Sequence, residues 1–214
     1  MAVSQARLRY AMGIKMKVIG ITGGIGSGKS MVADIMRDDF HAYLINTDQI
    51  AHKLMEKGRI SYQLIVEYFG EKILTPSGEI ERSTLGKLVY QAPEKLLILN
   101  SFTHPYVMDY VRKLIEEKGK ENENLICVET ALPIEAGLRT FCDAIWYVFS
   151  PDNLRRERLK ESRNYEEEKI NQIFKNQISD EDYRKASTHV LINDGSREKI
   201  IAQIEVLLEK MPEL

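Results

Sequence analysis

Short apolar runs alternate with longer stretches of helical periodicity along most of this chain. The first run, Lys17-Val18-Ile19-Gly20-Ile21-Thr22, is β-branched and a glycine cluster follows it, so it reads as a buried strand. The pattern then predicts a helix over about 30–38, a strand at 42–46, and a helix over about 49–57 ended by Gly58. Residues 60–118 read as mostly helical. Pro93 and Pro105 suit first-turn helix positions, and Val107, Val111, Leu114 and Ile115 recur at helical spacing. Further strands are predicted at 125–129, 144–149 and 189–192, with a charged helical stretch over 151–187. Ser196 stands where it can cap a closing amphipathic helix that carries Ile200, Ile204, Leu207 and Leu208.

Strands that alternate with helices indicate an α/β fold with a parallel central sheet. Such sheets bind ligands in the crevice beyond the carboxyl ends of their strands. The polar candidates in this chain fall just after the first, second and third predicted strands.

Composition narrows the classes. The 214 residues are 43% hydrophobic and 29% charged, as in an ordinary globular domain. A formal net charge of −2 gives no global basic field for a nucleic-acid partner. No apolar run approaches the roughly 20 residues of a membrane span. Cys127 and Cys142 lie in apolar segments without a CxxC or Cys/His pattern, and read as reduced core residues of a cytoplasmic protein. Residues 1–15 lack the apolar stretch of a signal peptide and read as an N-terminal extension ahead of Met16. No internal repeat or long linker divides the rest, so residues 16–214 read as one domain.

The sharpest local signal is Gly23-Gly24-Ile25-Gly26-Ser27-Gly28-Lys29-Ser30, which fits G-x-x-x-x-G-K-[ST] without a mismatch. Glycines let the backbone wrap closely around phosphates. Successive N–H groups and the positive end of the following helix then face the anion. Lys29 adds a mobile charge for the β- and γ-phosphates, and the Ser30 hydroxyl suits Mg²⁺, which keeps several waters and takes few protein oxygens. A strand before the loop and a helix after it complete the context, so ATP with Mg²⁺ is the expected pair.

Other phosphate-loop classes lack their marks here. There is no N-K-x-D element for guanine and no L-S-G-G-Q of a transport ATPase, and the chain is short for a helicase. A small-molecule kinase remains, in which an acceptor sits opposite ATP and a lid excludes water. Asp48, after the second strand, is the candidate for orienting or deprotonating the acceptor hydroxyl. An aspartate before a helix is equally read as an N-cap, a duty that Thr47 can take instead. Glu129 ends the third strand where an acid can hold Mg²⁺ through water, or is a polar strand end. The run Arg155, Arg156, Arg158, Lys160, Arg163 reads either as a solvated face paired with nearby glutamates or as a lid whose arginines close on the transferring phosphoryl group. Arg163 is the preferred residue of that run.

These residues together resemble dephospho-coenzyme A kinases. The resemblance rests on the loop at 23–30, Ile-Asn-Thr-Asp-x-Ile-Ala at 45–51, and His104-Pro105 opening a helix. It rests also on Arg158, Arg163 and Gln177, and on Ile192-Asn193-Asp194-Gly195. It covers about residues 17–210. It implies ATP-dependent phosphorylation of the ribose 3′-hydroxyl of dephospho-coenzyme A, the last step of coenzyme A synthesis. The implied fold is a five-stranded parallel sheet flanked by helices, made of residues 16–58, 120–150 and 188–214, with a helical coenzyme A-binding insertion at about 59–119 and a lid at about 151–187. Asp48 then matches the catalytic base, with His104 and Arg163 beside the acceptor. Gly24, Gly26, Ser27, Gly28, Lys29, Ser30 and Met31 match the ATP loop, and Asn193 belongs to a loop near adenine. The chain departs from the family at Met31, often Thr, at Asn46, often Asp, and at His52, often Arg. The segment Ala131-Leu132-Pro133-Ile134-Glu135 departs from the common Pro-Leu-Leu-x-Glu, and the spacing from Arg158 to Arg163 is one residue longer than in some members. Two alternatives stand beside this reading: a nucleoside or nucleoside-monophosphate kinase, and a regulatory protein that binds ATP without chemistry. The expected partner is the small-molecule acceptor, with no nucleic acid or membrane, in a monomer or small homo-oligomer.

Overall fold

Lys17–Thr22 forms β1, and every residue of it is buried, as a strand covered on both faces requires. The computed structural model describes residues 16–90, 92–121, 123–131 and 137–211. The expected extension at 1–15 and residues 132–135 of the departing segment lie outside the described residues. β1 leads into α1 (Lys29–Asp38), β2 (Tyr43–Asn46) and α2 (Thr47–Leu54). α3 (Ile60–Phe69), a 3-10 turn at Glu71–Ile73, α4 (Arg82–Tyr90) and α5 (Pro93–Lys120) follow. Next come β3 (Leu125–Glu129), β4 (Ala144–Phe149), α6 (Asp152–Arg163), α7 (Glu167–Asn176), α8 (Asp180–Ala186), β5 (His189–Ile192) and α9 (Arg197–Lys210).

The described residues group into two compact units. One holds the residues up to Ile45 and from Ile115 onward, and the other is Asn46–Leu114. In the first, the strands order as β2-β3-β1-β4-β5. β1 runs parallel to β3 and to β4, and β4 parallel to β5. β1 is therefore central, and the chain leaves it into α1 at the point where successive connections diverge to either side, the place where such sheets take ligands. The core joins Ile19, Ile21, Trp146, Val148 and Leu191 of the sheet to Val32, Ile35 and Met36 of α1 and Ile200, Ile204 and Leu208 of α9. Burying each of these large side chains contributes about 1.5–3 kcal/mol. Cys127 is buried and Cys142 half-buried, and both are free thiols. Burial pushes both thiols up, so neither is a thiolate at neutral pH. At the sheet edge, the Gln203 side chain accepts from the Ile192 N–H at 2.9 Å and donates to the Ile192 carbonyl at 3.0 Å.

The second unit has its own core of Ile65, Phe69, Ile73, Leu85 and Val89. Gly70, with φ 78°, ends α3 and lets the chain turn into the 3-10 segment.

Two expectations need correction, and a third, the helical stretch 151–187, is refined. Pro105 is not in a first turn: it lies inside the 28-residue α5, so His104-Pro105 does not open a helix. Proline removes one N–H from the ladder and crowds the preceding turn. The Thr103 hydroxyl donates to the Leu99 carbonyl at 3.1 Å and the Asn100 carbonyl at 3.3 Å just ahead of it. α2 ends at Leu54 rather than at Gly58. The predicted stretch 151–187 is three helices, with Asn164 left-handed (φ 50°) at the end of α6.

Candidate active site

The segment after β1 folds as a loop around the N-terminus of α1. Gly28 caps that helix in the left-handed region (φ 90°), no side chain caps it, and its first turn carries no acidic residue. The terminus therefore presents an uncompensated positive end, a ready site for an anion. Gly28 needs glycine twice over: its φ disfavours a side chain, and a Cβ there would collide with Asn193 Nδ2. Lys29 Nζ lies back on the loop, donating to the Gly23 carbonyl at 2.8 Å and the Gly24 carbonyl at 3.2 Å. Ser27 is buried, and its hydroxyl has no hydrogen-bond partner among the described residues. Met31 packs its side chain against the sheet core, which leaves only its backbone to a ligand.

Ser30 is exposed, and its hydroxyl donates to Glu129 Oε1 at 2.8 Å. The pair joins the first turn of α1 to the end of β3. Among the described residues no group of three or more His, Cys, Asp or Glu side chains gathers as a metal-ligand set. One hydroxyl and one carboxylate fit Mg²⁺, which completes its octahedron with waters and phosphate oxygens, better than they fit zinc.

Asn193, expected in a loop near adenine, has its side chain on the phosphate loop. It is buried, its Nδ2 donates to the Ser27 carbonyl at 2.8 Å, and its Oδ1 accepts from Gly195 N at 3.0 Å and Arg158 Nη2 at 3.3 Å. Its own carbonyl accepts from the Ser150 hydroxyl at 2.8 Å. The side chain is spent on holding the phosphate loop.

Two arginines of α6 reach the loop. Arg158 Nη1 donates to the Gly26 carbonyl at 3.1 Å and to the Ser150 hydroxyl at 3.1 Å. Arg155 Nε donates to the Ile25 carbonyl at 3.0 Å. Arg163, the residue preferred from sequence, is exposed at the end of α6. The helical period carried the missing signal. Arg155 and Arg158 are three apart and share a face, whereas Arg163 stands about 140° round the helix from Arg158. Arg156 and Lys160 of the same run pair with Glu167, so part of the run is indeed a solvated face.

In the second unit, Asp48 is exposed in the first turn of α2. The cap of that helix is Asn46, whose side chain accepts from Gln49 N at 3.0 Å. Asp48 is thus released from capping, by Asn46 and not by Thr47, which is the first helical residue and buried. His104 is half-buried within α5.

A glycine loop running from a central parallel strand into an uncapped helix, with its lysine and hydroxyl in place, puts this chain in the P-loop kinase class. The sequence model of dephospho-CoA kinase matches residues 17–199. The dephospho-CoA kinase of Carboxydothermus hydrogenoformans is 36% identical over 195 residues, covering 91% of this chain and 94% of the relative. TT1252 from Thermus thermophilus superposes with a TM-score of 0.76 at 28% identity, covering 92% of this chain and 98% of that one. The fold alone is shared with dephospho-CoA kinase from Campylobacter jejuni, at a TM-score of 0.65 and 24% identity over 90% of this chain and 97% of that one. The chain belongs to the dephospho-CoA kinase family.

Proposed function

We propose that this chain transfers the γ-phosphoryl group of ATP to the ribose 3′-hydroxyl of dephospho-coenzyme A, giving coenzyme A and ADP. The observation that carries this reading is the uncapped helix terminus behind Gly28-Lys29-Ser30, built as an anion site on the central strand of a dephospho-CoA kinase fold. The loop N–H groups and Lys29 bind the phosphates, and Lys29 leaves the two loop carbonyls to do so. Ser30 and, through water, Glu129 hold Mg²⁺, which when bound screens the charge of the β- and γ-oxygens. Asp48 accepts or orients the proton of the acceptor hydroxyl. Arg163 stabilises charge on the transferring group once the helical segment 151–187 closes as a lid. The helical unit that carries Asp48 and His104 takes the acceptor.

Among the described residues no helix is long and apolar enough to cross a membrane. We assign the enzyme to the cytoplasm, as a monomer or small homo-oligomer acting on small molecules and not on nucleic acid. The test is ADP release with Mg²⁺-ATP, comparing dephospho-coenzyme A with AMP, adenosine and other nucleosides. Turnover with dephospho-coenzyme A alone, and coenzyme A as product, is expected. Turnover with another acceptor sinks the acceptor assignment and keeps the kinase class, while ATP binding without turnover sinks both.

A further inference from the structure

We infer that Arg155 is a positioning residue for phosphoryl transfer: it latches Gln177, at the end of α7, onto the phosphate loop and so keeps water from the transferring group. The inference rests on the phosphate-binding reading of the loop and adds a residue to it. Arg155 lies in the first turn of α6, and its side chain is only 14% exposed. Its nitrogens are committed to three places. Nε donates to the Ile25 carbonyl at 3.0 Å, Nη2 to Gln177 Oε1 at 2.6 Å, and Nη1 to Asp152 Oδ1 at 3.2 Å. The guanidinium also lies over the Phe174 ring, 4.1 Å from its centroid. One side chain thus ties together the loop, the start of α6 and the end of α7.

The contact presses on the loop itself. A Cβ on Gly24 would come 2.5 Å from Arg155 Nη2 and 2.9 Å from Gln177 Oε1. Both side chains therefore occupy the space directly above a loop backbone that binds polyphosphate. The electrostatics point the same way. Among the described residues the carboxylate paired directly with Arg155 is the 70% exposed Asp152, Asp180 acts on it only through its charge, and the partners on the buried side are neutral oxygens and an aromatic face. A mostly buried cation with weak compensation gains from a nearby polyanion. The planar fork holds two acceptors at once, which an ammonium does not do in the same geometry.

If the latch opens, water reaches the γ-phosphorus. Its oxygen bonds to phosphorus as the bond to the β–γ bridging oxygen breaks, releasing ADP, phosphate and a proton. ADP is then made without coenzyme A. The test measures both products in the same reaction with Mg²⁺-ATP and dephospho-coenzyme A. In the wild type they should form one for one. In Arg155→Ala ADP should form in clear excess over coenzyme A, and the KM for ATP should rise about tenfold, the effect of losing one charge-assisted hydrogen bond. Arg155→Lys should recover only part. Gln177→Leu should reproduce the excess, and the double variant should be no worse than the worse single variant, because both remove one contact. A loss of folded protein lowers both products together and leaves their ratio alone. An unchanged ratio and KM in Arg155→Ala, or additive effects in the double variant, overturns the latch. Should Arg155→Ala fail to fold, the ratio in Gln177→Leu decides alone. A wild type that makes no coenzyme A overturns the functional reading instead, before any variant is compared.

Discussion

The Ser30 hydroxyl donates to the Glu129 carboxylate at 2.8 Å across 99 positions of sequence. The bond joins the first residues of α1 to the end of β3, one strand away from the loop. A carboxylate that orients a metal-binding hydroxyl, or reaches the metal through water, acts on metal affinity before it acts on fold. Glu129→Gln keeps the hydrogen-bonding shape and removes the charge. Its Mg²⁺ requirement or its turnover should worsen by about 10–100-fold, read from initial rates across a Mg²⁺ series. Equal rates at all Mg²⁺ concentrations would remove Glu129 from the site.

Asp48 stands exposed in the first turn of α2 with Asn46 doing the capping. Asp48→Asn should lower kcat by a factor of about 10² or more with little change in ATP affinity. Steady-state rates alongside equilibrium ATP binding separate the two. A matching loss of ATP binding would make Asp48 structural.

Asn193 clamps the Ser27 carbonyl from a fully enclosed position. Asn193→Ala leaves the Ser27 carbonyl with only the longer bond from Arg158 Nη1 at 3.4 Å and takes the acceptor from Arg158 Nη2, at a cost of about 1–3 kcal/mol. The melting temperature should fall by roughly 4–8 °C for a chain of this size at about 2 kcal/mol. Saturating ATP should restore part of the loss, since it binds only the folded loop. A melting curve that does not shift would show that the clamp stabilises nothing.

The helical segment 151–187 is anchored by Tyr147, whose hydroxyl donates to Asp180 Oδ1 at 2.8 Å while its ring stacks on Tyr183. Burial, and then the bond to Asp180, pushes the Tyr147 hydroxyl above the ordinary tyrosine range. Burial works against the charge on Asp180, but the bonds from Arg184 and Tyr147 outweigh it and hold the carboxyl below its usual value. A raised tyrosine stabilises the fold below about pH 10 and loses that contribution as pH climbs through its folded value. A depressed aspartate stabilises above about pH 4 and loses its contribution as pH falls through its folded value. The anchor should therefore be strongest between those limits. Tyrosinate absorbance in an alkaline titration should show a late-ionising group that Tyr147→Phe removes. An identical titration in the variant would mean that Tyr147 ionises normally.

The strands were legible because a parallel sheet buried on both faces demands unbroken apolar runs, and Lys17–Thr22, Leu125–Glu129 and Ala144–Phe149 are such runs. The phosphate loop was legible because its glycines answer to a local backbone geometry. Pro105 misled because proline usually marks a helix start, and only tertiary packing makes a mid-helix site tolerable. Arg155 and Arg158 stand out only once the charge run is read as a helix face and not as a string. The bond from Asn193 to the Ser27 carbonyl spans 166 positions, and no local pattern encodes it.

The amide of Gln203, folded onto Ile192, also speaks to life in a crowded solution. An outer strand offers donors and acceptors to any passing chain, the usual seed of aggregated β-structure. At Ile192 both groups are already taken, in the way that a neighbouring strand would take them. The sheet therefore presents a finished border there, and concentrated protein has one fewer place at which to zip together.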